Sequence, residues 1–69
     1  MIKVGEKYRH FKGNEYEIVA IEKDSETLAP KVVYKALYGE NQVWVRDLSM
    51  FEEIIERDSK KIKRFEKID

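Results

Sequence analysis

Alternation with a period of two runs through the middle of the chain. Tyr16–Ile21, Lys31–Tyr38 and Gln42–Arg46 are rich in β-branched and aromatic residues, the composition that suits strands. Successive strand side chains point to opposite faces, so Val32, Tyr34, Ala36 and Tyr38 share one side of their strand while Val33, Lys35 and Leu37 share the other. In the same way Val43 and Val45 oppose Trp44 and Arg46, which places an aromatic ring and a fixed cation side by side. Gly5, Gly13-Asn14, the run Asp24–Thr27 with Pro30, and Gly39–Asn41 interrupt the pattern at the spacing of turns between strands. The expectation is a small antiparallel sheet or barrel.

Residues 49–68 fit two patterns. Ser49 and Glu52 have the spacing of a capping box, and Phe51, Ile54, Ile55, Ile62 and Phe65 recur at helical intervals. Asp58-Ser59 fits equally well as the turn of a hairpin between Ile54–Arg57 and Lys61–Phe65.

Length narrows the function classes. At 69 residues, with no cysteine and one histidine, His10, the chain reads as a single domain spanning residues 1–69, without disulfides or a zinc centre. No cofactor is expected. The longest apolar stretch is Ile18–Ile21, far below the roughly 20 residues of a membrane-spanning helix. Met1–Glu6 lacks the features of a secretory signal, so a cytoplasmic location is expected. Formal net charge is zero, which does not favour nucleic acid as a partner, although Lys60, Lys61, Lys63, Arg64 and Lys67 form a locally basic tail.

Candidate chemistry lies in two places. Ser25 and His10 have the residue types of a nucleophile and base, with Glu26 or Asp24 to orient the imidazole. The competing reading has Asp24, Ser25 and Thr27 capping their own loop. Tyr8-Arg9-His10-Phe11 would offer polar and aromatic groups to both faces of a strand; the bland alternative sets His10 beside a carboxylate and pairs Arg9 with Glu26. Trp44 and Tyr34 are the aromatic candidates to serve a ligand, since tryptophan beside arginine suits stacking; the competing reading, favoured by the general behaviour of large rings, is a core tryptophan.

Lys7–Glu17, Ser25-Glu-Thr27, Val32-Val-Tyr34, Leu37-Tyr-Gly39, Trp44-Val-Arg46 and Met50-Phe51, in that order, resemble the bacterial family known as domain of unknown function 1653. The resemblance implies a mainly β fold: a small antiparallel SH3-like barrel with a short helical turn near residues 49–53 and a C-terminal hairpin. The family pattern has an Asp-Gly turn in that hairpin and a proline before Arg-Phe; this chain has Asp58-Ser59 and Lys63. It also has Asp24 and Asp47 where the pattern has histidine and proline. Tyr8, Arg9, His10, Ser25, Glu26, Thr27, Tyr34, Trp44 and Arg46 are the expected ligand-binding residues, converging on one side with Arg9 and Arg46 offered to a carboxylate. The expected function is a binding or adaptor module for a small polar ligand, a peptide or single-stranded nucleic acid. One alternative is a small hydrolase-like or nucleotide-processing enzyme using His10 with Glu26 or Ser25. Another is a structural protein that pairs strand edges with a second copy.

Overall fold

Alternating burial along the strands builds the molecule around one sheet face. The computed structural model describes residues 2–68, in which the strands are β1 (Lys7–His10), β2 (Glu15–Lys23), β3 (Pro30–Ala36), β4 (Val43–Asp47), β5 (Ile54–Arg57), β6 (Lys60–Lys63) and β7 (Phe65–Lys67). A single turn of helix, α1 (Leu48–Phe51), follows β4 directly. Five strands form an antiparallel sheet in the order β4-β3-β2-β1-β7, and β5 and β6 form a separate hairpin. The fold class is therefore mainly β, as expected. Among the described residues β4 and β7 are the two edges of the larger sheet, whose hydrogen-bonded ladder is open.

One face of the sheet carries the core. Tyr8, Tyr16, Ile18, Val32, Tyr34, Ala36 and Phe65 are buried there, and α1 adds Phe51. Strict alternation in β2 would send Ile21 outward with Val19. A bulge between Ile18 and Ala20 resets the phase, so that Ile18 pairs with Tyr34 and Ile21 with Val32, the usual effect of one inserted residue, and Ile21, towards the end of the strand, is still 39% exposed. Aromatic rings fill the centre: Phe51 and Phe65 stack with centroids 4.0 Å apart, and Tyr8, Tyr16 and Tyr34 meet this pair edge-on.

The C-terminal third resolves in favour of strands, with one correction to the helical turn. Asp47, not Ser49, is the N-cap of α1, and its side chain makes no cap hydrogen bond. Its carboxylate is taken instead by the Lys31 ammonium opposite on β3. Beyond α1, Asp58 and Ser59 both have positive φ, 53° and 65°, the conformation of the two-residue turn that matches strand twist. Ile55 faces Ile62 across the hairpin. Residues 65–67 leave it to pair with β1, where Phe65 lies opposite His10.

Candidate functional site

Strand register assigns the expected site residues to different regions. Tyr34 pairs with Trp44 and Val32 with Arg46, so β4 lays both Trp44 and Arg46 on the core face of the sheet. His10 reaches the same face from β1, opposite Phe65. The arginine side chain spans the two halves: its Nε donates to the Tyr34 hydroxyl at 3.3 Å, and its guanidinium lies 5.9 Å from the centre of the Phe65 ring. The His10 ring is 4.9 Å from that ring, edge-on. Trp44 flanks Tyr34 and Tyr16, with centroids 6.2 and 6.1 Å away, and is 42% exposed. Tyr34, by contrast, is core, with only its hydroxyl engaged by the arginine.

Electrostatics at this face are one-sided. Arg46 is half-buried and has no carboxylate partner among the described residues. Burial, followed by the charges of Arg64, Arg46 and Lys12, holds the His10 pKa below its ordinary value. His10 Nδ1 accepts the Lys12 backbone N–H at 3.1 Å, which leaves Nε2 as the other polar atom of the ring. The expected carboxylate beside His10 is therefore replaced by a group of cations. Tyr16 contributes from β2, its hydroxyl 2.8 Å from that of Tyr38; burial, with that hydrogen bond, pushes its pKa up to about 12.

The remaining expected residues lie elsewhere. Arg9 alternates to the opposite face of the sheet and grips Glu15, its cross-strand neighbour, at 2.9 Å. Its β1 strand is three strand spacings from β4, about 14 Å, so Arg9 and Arg46 do not form one clamp, and Glu26 is not its partner. An open pocket of about 230 Å³ beside Arg9 and His10 is lined also by Phe11, Ile62, Lys63 and Glu66. Tyr8 is core, its hydroxyl donating to Glu6 at 3.0 Å.

Ser25, Glu26 and Thr27 sit in the loop between β2 and β3. The Asp24 carboxylate accepts the backbone N–H groups of Glu26 and Thr27 at 2.8 and 3.1 Å, and Thr27 Oγ1 accepts that of Ala29. These contacts organise a turn. His10 adjoins the start of β2 and this loop its end; a nine-residue strand is about 30 Å long. A catalytic pairing of His10 with Ser25 or Glu26 is thus contradicted by the topology.

Tyr16, Tyr38 and Phe65 were not singled out by sequence reasoning. For Tyr16 a signal existed, since it begins the alternation that continues to Ile18. Phe65 becomes central only through the pairing of β7 with β1, a contact distant in sequence.

Residues 6–67 match the model of a family described as protein of unknown function (DUF1653). The crystal structure of a protein of that family from Bordetella bronchiseptica is similar to this one with a TM-score of 0.83 and 28% identity, over 97% of this chain and 87% of that one. No curated protein matches the chain.

Proposed function

Because the chain belongs to the DUF1653 family of proteins of unknown function, its role has to be read from its own residues, and we propose a binding module for a small polar ligand bearing an anionic group. The observation that carries this reading is Arg46: half-buried, fixed by the Tyr34 hydroxyl and the Phe65 ring, and without a carboxylate partner among the described residues. A guanidinium in that position keeps most of its donor fork for a carboxylate or phosphate. Trp44, two residues away on the same face, supplies a partly exposed ring on which a planar part of the ligand stacks. His10 supports the reading as a neutral hydrogen-bonding group at the cationic end. Arg9, Ser25, Glu26 and Thr27 have no part in it.

A small ligand is favoured over single-stranded nucleic acid by the zero net charge and by the small extent of the exposed aromatic surface. The chain has one tryptophan, so its fluorescence reports directly on the site. Titration with mononucleotides and with aromatic carboxylic acids should give saturable quenching for one class. Arg46→Leu should abolish it, Arg46→Lys should weaken it about tenfold through loss of the fork, and Arg9→Ala should leave it unchanged. Quenching that Arg46→Leu does not alter, or no response to either class, would overturn the proposal. Tighter binding of short single strands, with log affinity falling steeply against log salt, would transfer the site to nucleic acid.

A further inference from the structure

β4 differs from the other edges of the molecule. β7 exposes the charged Glu66 and Lys67, and the β5–β6 hairpin carries Lys60, Lys61 and Lys63; charged side chains of this kind discourage pairing with another chain. β4 has neither lysine nor proline, and Val43, Trp44 and Val45 are 54%, 42% and 62% exposed. The Ala36 amide donates to the Gln42 carbonyl at 2.8 Å. By the alternation of an antiparallel ladder, the backbone groups of Trp44 and Arg46 then also face β3, whereas those of Val43 and Val45 face outward.

We propose that β4 pairs antiparallel with β4 of a second copy of this chain, about a two-fold axis through Val45. Only this register opposes every residue of the strand to another residue of β4. Val45 meets Val45 of the second copy, Val43 meets its Asp47, and the outward N–H and C=O groups of Val43 and Val45 become satisfied. Trp44 then lies opposite Arg46 of the second copy, and Arg46 opposite its Trp44, so the symmetry sets an aromatic and a cationic position across from one another twice and opposes no like charges. Moving the axis to Arg46 would oppose like charges. Moving it to Trp44 would leave Arg46 opposite Gln42, outside the strand. On the other face of the sheet, Val33, the cross-strand neighbour of Val45, extends the apolar contact away from the axis. The product is one continuous ten-stranded sheet with two Arg46 sites adjoining the axis. This inference does not depend on the ligand proposed for those sites.

Sedimentation equilibrium from micromolar to millimolar concentration tests it, with hydrogen exchange followed by amide NMR. Average mass should rise to twice that of the chain. Exchange of the Val45 amide should slow about tenfold or more as the dimer forms, while that of Trp44, already bonded to β3, should not change. Val45→Lys places two ammonium groups at the axis on an already exposed position and should leave a monomer with an otherwise native spectrum. Val19→Lys, at an exposed position on β2 away from the edge, should dimerise like the parent. A monomer at every concentration would overturn the proposal, as would a dimer in which the Val45 amide is not protected. The exchange measurement on the parent chain decides the question even if Val45→Lys fails to fold.

Discussion

His10 shows how one residue's surroundings become a pH dependence. Burial and then the charges of Arg64, Arg46 and Lys12 lower its folded-state pKa from the ordinary 6.5. Between the two values the unfolded chain binds a proton that the native state rejects, so native stability rises with pH across that interval. The contribution is complete above 6.5 and is lost as pH falls through the unfolded value towards the folded one. Glu6 and Asp24, whose carboxyls backbone hydrogen bonds hold below their ordinary 4.5 and 3.8, lose their contributions only at lower pH. Urea midpoints measured between pH 7.5 and about 5 should therefore fall for the parent chain and stay nearly flat for His10→Gln. Equal slopes would refute the assignment. Alternation alone made the juxtaposition of Trp44 and Arg46 legible in the sequence, because both lie within one strand. It did not reveal the partner of Arg9, because Glu15 comes opposite only once the Gly13-Asn14 turn has fixed the register of β1 against β2.

At the scale of elements, strands with a clean period of two were legible and the last twenty residues were not. Local spacing there satisfied a helix and a hairpin equally, and long-range pairing decided between them: Phe65 is buried against β1 and the aromatic centre only if residues 54–63 turn back. The hairpin forms although Ser59 occupies a position that favours glycine. Left-handed backbone costs an L-residue about 1–2 kcal/mol, and the extra unfolded freedom of glycine returns about 0.5–1 kcal/mol of that. Ser59→Gly should thus stabilise the hairpin by about 0.5–1 kcal/mol, seen as roughly two- to five-fold slower exchange of the Ile55 and Ile62 amides. Unchanged or faster exchange in the variant would show that the turn is unstrained.

Whether that gain reaches the whole molecule depends on how the hairpin is attached. A 69-residue chain of ordinary compactness has a radius of gyration of about 11 Å, whereas this one has 12.3 Å and extents of 37 × 27 × 19 Å. The hairpin contributes to the excess: only Ile55 and Ile62 of its strand residues are even half-buried. Glu53 and Arg64 close its base on each other through an ion pair at 2.5 Å and a backbone bond, and its ties to the rest include the Phe11 N–H donated to the Arg64 carbonyl at 2.9 Å and Arg57 lying 5.5 Å from the Phe11 ring centre. Exposed charge pairs of this kind contribute less than about 1 kcal/mol each, far less than the packing around Ile18 and Val32, which are fully buried. Two cooperative units follow, a sheet core and a hairpin that opens at lower free energy. Ile55 and Ile62 amides should exchange faster than those of Ile18 and Tyr34, and Ser59→Gly should slow the first pair while scarcely moving Tm. Were the chain a single unit, the same substitution would raise Tm by several degrees, since 1 kcal/mol corresponds to about 4–8 °C in a domain of this size. The two readouts together separate a hairpin that stabilises the core from one that merely delivers Phe65 to it.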